Sequence, residues 1–423
     1  MQVASPQGAI SEQAWYAGVA PSGPQPAALG PVLVHSRGIL AGAMLTVPTL
    51  LQKARTATTL QDFGDEWFLR PLTRLVDEVN AHAGLVAPEA GAGQRILSAL
   101  EDRLRLVQYL KDHPEVHDEQ IEIACAIIGL PRTGSTVMHR LLASSPRTTS
   151  FFWWETTFPL PLAGEAVGDP APRIALAHQI VDRLLSEWPD FESIDPIEAE
   201  AVAEEVILLD RTFLSSTYDS MMPIPGYGAW QADQDHAPAY RDLLLWMKAL
   251  QFQSPWRRGR KWVLKTPHHL LGGMNGLLKV FPCVPLVMTH RNVGQVLPSY
   301  CSMCASMSIG ASTTYRRELQ GAHWTGRFRT GLERFEALRK TLPENRIVDV
   351  RYEDTVSDPI GTASRVMSAI GMGYDSADRA AMEACMAANV RENRPKHKYS
   401  AEEFGLTREG IAADFAFYHD RYL

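Results

Sequence analysis

The sequence predicts an α/β protein: a P-loop-like parallel β-sheet flanked by helices, with a helical extension on its N-terminal side. Three observations carry this. Gly129-Leu130-Pro131-Arg132-Thr133-Gly134-Ser135-Thr136 matches the phosphate-loop pattern G-x-x-x-x-G-K-[ST] except at the lysine, which Ser135 replaces. Downstream, short apolar runs alternate with helical stretches, the signature of a parallel sheet with helical crossovers. Upstream, apolar residues recur at helical spacing.

Residues 1–50 form an irregular lead-in, since the first thirty are rich in Pro, Gly, Ala and Ser. Residues 31–51 are apolar, but His35, Arg37 and Pro48 interrupt them and the run barely reaches the ~20 residues a membrane span needs. Neither a span nor a signal peptide is expected. Residues 51–120 are a helical N-terminal region, marked by Phe68, Leu69, Leu72, Leu75 and Val76 and then by Leu97, Leu100, Leu104 and Leu110. The main α/β domain occupies 121–423. Its first strand covers Ile123 to Ile128 and its first helix Val137 to Leu142. An insertion around 159–261 is mostly helical and rich in aromatics and methionines. A strand at Trp262 to Lys265, a helix from His268, a strand at Val284 to Thr289, a helix from Val293 and a strand at Ile347 to Val350 complete the pattern. A ligand belongs at the carboxyl ends of such strands.

With 423 residues, 45% of them hydrophobic, the chain has ample material for a core in one large domain or two. Its net charge of −7 provides no general basic field, so nucleic acid is not an expected partner and any anion site must be local. Five cysteines in a long chain argue against a disulfide framework and for a reducing, cytoplasmic setting. Cys301 and Cys304 have C-x-x-C spacing without further ligands nearby, and read as small apolar helix residues.

The loop has the strand-turn-helix context of an anion site. Backbone N–H groups at a helix N-terminus bind phosphate whatever the side chains are, and glycine permits close approach. The missing lysine puts ATP-type chemistry in doubt, because that residue reaches the β- and γ-phosphates. A cation is present instead at Arg132. By themselves, the eight residues are equally well explained as a Gly-Ser turn. A second anion motif is Thr289-His290-Arg291-Asn292, where a strand ends in arginine and Ser299 follows eight residues later. Together Arg291 and Ser299 offer a guanidinium fork and a hydroxyl for one further phosphate.

These residues carry a resemblance to the sulfotransferases. Leu130 to Thr136 resembles their 5′-phosphosulfate loop, and Arg291 to Ser299 their 3′-phosphate motif. A bacterial group of the family is the nearer likeness. It extends through Asp62-Phe63-Gly64-Asp65, His113-Pro114-Glu115, Trp154-Glu155, Leu264-Lys265-Thr266-Pro267-His268, Asp349 to Asp354, Asp358-Pro359, Lys396 to Ser400 and Glu403 to Leu406, so it covers residue 55 to the end. One departure is Asn292-Val293, where an acidic residue and a proline often follow the arginine.

The resemblance implies transfer of a sulfuryl group from 3′-phosphoadenosine 5′-phosphosulfate (PAPS) to a hydroxyl or amine of a small or lipid-like acceptor. PAP (3′-phosphoadenosine 5′-phosphate) is then the product, and no metal is required. Arg132 would neutralise the leaving phosphate, while Thr133, Gly134, Ser135 and Thr136 cradle the phosphosulfate. Tyr352 matches an adenine contact and Lys396 a late basic residue near the nucleotide. Lys265 or His268 would assist near the bridging oxygen. A homodimer is left open.

An acceptor losing its proton needs a base within hydrogen-bond reach. Glu155 is the preferred candidate, because a carboxylate beside Phe152, Trp153 and Trp154 should be desolvated; His268, followed by His269, is the alternate. Phe151, Phe152, Met221, Met222, Tyr227 and Trp230 are expected to line an apolar acceptor pocket unless they are plain core. Glu204 and Glu205 are both candidates to face the acceptor, with a solvated helix face the better reading for at least one of them. The competing readings are a phosphotransferase or NTPase of the P-loop type and an inactive PAP-binding scaffold. The first wants a magnesium-binding aspartate at a strand end, where this chain has His290-Arg291.

Overall fold

The computed structural model describes residues 44–82, 84–85, 88–189, 191, 197–308, 312, 315–388 and 399–423. Most of the irregular lead-in expected over 1–50 lies outside the described residues. Three helices follow: α1 (Val47–Thr58), α2 (Leu69–Ala81) and α3 (Gln94–Asp112). Leu72, Leu75, Val76, Val79, Ile96, Leu100 and Leu104 repeat at three and four residues, so each helix presents one apolar stripe. The stripes meet in a cluster that also takes Phe213, Tyr218 and Tyr227 from the middle of the chain.

The strands among the described residues are β1 (Ile123–Gly129), β2 (Thr148–Thr149), β3 (Phe151–Phe152), β4 (Val202–Ala203), β5 (Lys261–Lys265), β6 (Leu286–His290) and β7 (Ile347–Arg351). Five of them form one parallel sheet in the order β2-β5-β1-β6-β7, and β3 pairs with β4 antiparallel. The loop-bearing strand β1 is therefore central. Parallel strands need crossovers, and helices on both faces bury the sheet. The two-residue alternation sorts the side chains accordingly. Cys125 and Ile127 join Met138, Leu141 and Val366 on one face, while Ala126 and Ile128 join Leu243, Met247, Leu297 and Trp324 on the other. The first face is covered by α4 (Ser135–Ser144), the second by α6 (Ala237–Gln253), α7 (Val293–Ser308) and α8 (Arg317–Arg339). Between them in the chain lies the short α5 (Trp153–Thr157), and after β7 comes α9 (Tyr352–Ser357).

The helix expected from His268 starts later. Pro267–His269 is a single 3₁₀ turn with Thr266 Oγ1 accepting from His268 N, and the helix proper covers Met274–Val280. Gly272, at φ +156°, interrupts the backbone between them. Cys301 and Cys304 are free thiols buried in α7, as small helix residues should be. Among the described residues, no helix is long and apolar enough to cross a membrane.

Candidate functional site

The loop after β1 owes its shape to three unusual backbone positions. Gly129 sits at φ +140°, and a Cβ there would lie 2.4 Å from Thr289 Oγ1. Arg132 adopts the left-handed conformation at φ +64°, uncommon for a residue with a side chain and a form of strain that binding loops retain. Gly134, at φ +81°, caps α4. The Val137 and Met138 N–H groups both bond to Gly134 O, which leaves those of Ser135 and Thr136 without an acceptor among the described residues. Thr133 holds the loop to the sheet: its Oγ1 donates to Leu130 O at 2.7 Å and lies 2.7 Å from Thr289 Oγ1. The result is a helix N-terminus with free N–H groups and a positive dipole end, arranged for an anion.

The second motif closes onto the first. His290 is anchored by Asp349 Oδ1 at 2.8 Å and Tyr418 OH at 2.9 Å, which fixes the end of β6. Arg291 then donates through Nη1 to Arg132 O at 2.6 Å, and its guanidinium stands 3.8 Å above the Tyr352 ring. Arg132 Nε in turn donates to Ser299 Oγ at 3.3 Å. Tyr352 packs so near Gly134 that a Cβ there would meet its ring at 3.1 Å. Arg132, Gly134, Arg291, Ser299 and Tyr352 thus form one cluster. Lys396 lies outside the described residues.

A third cation comes from the adjacent strand. Lys265 ends β5, and its Nζ reaches Thr136 Oγ1 at 3.4 Å while pairing with Glu204. The lysine is buried, whereas the Glu204 side chain is about a third exposed. Glu205 is sealed: its Oε2 accepts from Lys265 N at 2.9 Å, and its Oε1 lies 2.7 Å from His269 Nε2. His269 Nδ1 is 2.6 Å from Tyr240 OH. Burial raises the Glu205 carboxyl, but the His269 contact and the Lys265 N–H hold it below the usual carboxylate range. Sequence reasoning named Glu204 and Glu205 only as residues facing an acceptor. The grip on a lysine sixty positions away leaves no trace in local spacing.

The two expected bases are used otherwise. Glu155 is desolvated, but both its carboxylate oxygens take the Arg257 guanidinium at 2.7 Å and Oε2 also accepts from Phe152 N, closing the first turn of α5. Arg257 stacks on Trp262, three residues and ~10 Å of strand before Lys265. Glu155 therefore sits toward the amino end of β5, away from the loop. His268 is fully buried, and its Nδ1 accepts from Ser216 N–H at 3.1 Å. The neutral ring then carries its proton on Nε2 and has no free lone pair to receive another. Burial, followed by the neighbouring His236, His269 and Arg327, keeps this imidazole well below its usual range.

The expected apolar pocket is also dispersed. Phe151 packs on Trp262 in the main core, while Met222 and Tyr227 belong to the N-terminal cluster. Large apolar side chains went to the nearest core rather than to a common cavity. No group of three or more potential metal ligands occurs among the described residues.

Comparisons with known proteins agree with the fold. A model described as the sulfotransferase family matches residues 125–376. The fold is similar to that of sulfotransferase STF1 from Mycobacterium tuberculosis H37Rv, with a TM-score of 0.77 and 27% identity over 88% of this chain and 99% of that one. It is also similar to sulfotransferase STF9 from Mycobacterium avium, with a TM-score of 0.79 and 25% identity over 91% of this chain and 98% of the other. A search of curated proteins returned no match.

Proposed function

The chain belongs to the sulfotransferase family, and from that premise we propose that it transfers a sulfuryl group from PAPS to a hydroxyl, or amine, of a small or lipid-like acceptor. We assign the transfer to residues 121–423. The observation that carries the donor reading is the fusion of two anion grips: Arg291 donates to the carbonyl of Arg132, and Arg132 reaches Ser299. A single phosphate would need only the loop. A nucleotide with a 5′-phosphosulfate and a separate 3′-phosphate needs both.

The residues fit such a donor. Ser135 and Thr136 offer free N–H groups and hydroxyls to the 5′ end, Arg291 and Ser299 face the 3′-phosphate, and Tyr352 gives an aromatic surface for the base. PAPS supplies an activated sulfuryl group on a good leaving phosphate. Arg132 and Lys265 stand where charge grows on that phosphate, and preorganised cations there favour the transition state over the ground state. Lys265, already beside Thr136, is the group placed for the bridging oxygen.

Titration with PAP in the absence of metal tests the donor, with MgATP as comparator. Tight PAP binding is expected, and a preference for MgATP would overturn the assignment. Arg291→Ala should remove one charged hydrogen-bonding partner of the 3′-phosphate, worth ~1.5–3 kcal/mol. The preference for PAP over adenosine 5′-phosphate should then fall by roughly 10- to 150-fold. An unchanged ratio would mean that the second motif does not hold that phosphate.

A further inference from the structure

With both expected bases engaged elsewhere, we propose that Glu204 accepts the acceptor's proton and that Glu205 positions it. The inference rests on the PAPS reading and adds a residue to it. Four observations lead there. Glu204 is tied to Lys265, which touches the first turn of α4 through Thr136, so the carboxylate stands beside the loop. Its side chain is about a third exposed, open to an incoming molecule, whereas Glu155, Glu205 and His268 are sealed. Only Oε1 is taken by the lysine; Oε2 accepts no hydrogen bond among the described residues. Finally, the carboxylate is held on a short rigid stretch, with β4 before it and the Val206–Leu209 turn of helix after it. Within that stretch Glu205 clamps the Lys265 backbone and meets the His269–Tyr240 pair.

The arrangement divides the work of transfer between two ends of one ion pair. As the acceptor oxygen bonds to sulfur, the bond from sulfur to the bridging phosphate oxygen breaks. Its electron pair remains on that phosphate oxygen, opposite the Lys265 ammonium. The acceptor's O–H bond breaks with it, and the proton passes to Glu204 Oε2. Sulfate ester, PAP and a protonated carboxyl account for every atom and charge.

The test uses the full chain and two readouts. PAP affinity is measured by calorimetry, and sulfuryl loss from PAPS is followed with water and with primary alcohols from ethanol to decanol. Glu204→Gln should keep PAP affinity within about threefold of wild type and lose turnover by ~10²-fold or more, the range of a general base. With 4-nitrophenol in mildly alkaline buffer the acceptor is already ionised, so there the loss should shrink to a few-fold. Glu204→Asp should restore part of the alcohol rate. Glu205→Gln should slow both ionised and un-ionised acceptors, the un-ionised ones more, because it places Lys265, which serves both, and Glu204, which serves only the un-ionised. Equal rates in wild type and Glu204→Gln with every alcohol and with water, zero included, would overturn the base assignment while PAP binding leaves the donor reading standing. Failure of the wild type to bind PAP would instead remove the donor reading itself.

Discussion

Replacing Glu155 by glutamine separates a structural carboxylate from a catalytic one. In the wild type, Arg257 is fully buried and its charge is met by Glu155 through two 2.7 Å contacts, while Nε and Nη1 find no hydrogen-bond partner among the described residues. Rings of Trp262, Trp256 and Phe152 stand 4.8, 4.9 and 5.5 Å from the guanidinium carbon. Those rings are present in both proteins and do not change the difference. Glutamine keeps the volume and the bond from Phe152 N but removes the charge. An uncompensated buried cation costs ~3–5 kcal/mol. That is a large share of the ~5–15 kcal/mol by which a domain is stable. Urea unfolding followed by tryptophan fluorescence should therefore show a clear fall in midpoint. PAP affinity and turnover per folded molecule should stay close to wild type at low temperature. A Glu155→Leu, Arg257→Met double replacement should recover most of the loss, since apolar side chains often substitute for a buried pair without net cost. Wild-type stability in Glu155→Gln together with a turnover loss of ~10²-fold would refute the reasoning and return the carboxylate to the chemistry.

Two further outcomes follow from the backbone and from buried histidines. Gly129→Ala places a methyl 2.4 Å from Thr289 Oγ1 and 2.8 Å from Thr289 O, at a φ few side chains tolerate. Strain and overpacking, each ~1–3 kcal/mol, should add, lowering the thermal midpoint and PAP affinity together; loss of neither would show that the loop does not depend on this contact. Burial is the leading cause that holds His139 down to about 3, His236 to about 4 and His268 well below the ordinary 6.5. Their folded pKa values lie below the unfolded one, so the unfolded chain takes up more protons as pH falls below 6.5, and stability falls with it. Each can contribute up to ~1.4 kcal/mol per pH unit and the three together about 4. Urea midpoints measured from neutral pH downward should show this slope, His139→Gln should remove roughly a third of it, and a flat profile would contradict neutral burial.

The parts of the molecule legible in the sequence are those whose physics is local. Ile123 to Ile128 is apolar because a central parallel strand is buried on both faces, and the two anion motifs lie at strand ends where such folds place ligands. What crosses the chain is less visible. Glu155 has aromatic neighbours that signal desolvation, yet its charge is answered by Arg257, 102 residues later. His268 lies in a single 3₁₀ turn that Gly272 separates from the helix proper, and a backbone N–H 52 residues earlier fixes its tautomer. Met222 and Tyr227 are as apolar as a pocket wall would be, but they complete the N-terminal helical cluster. Composition states that a residue wants burial, not which core receives it.

The absent loop lysine takes on a different meaning once the sheet is assembled. In the pattern G-x-x-x-x-G-K-[ST], one side chain from the helix start brings a cation to the phosphates. Here that position is Ser135, and two other elements bring cations to the loop. Arg132 does so from within the loop, at the expense of a left-handed backbone. Lys265 does so from the neighbouring strand, because β5 lies directly beside β1 and Lys265 pairs with Ile127, two residues before β1 ends. A lysine on a strand end is held by its neighbours rather than by its own loop, so Glu204 and Glu205 can set both its position and its partner. The cation is thereby coupled to the carboxylate of Glu204, an arrangement that a lysine inside the loop would not provide. On the proposed assignment, moving the charge from helix to strand joins leaving-group stabilisation to proton removal within a single ion pair.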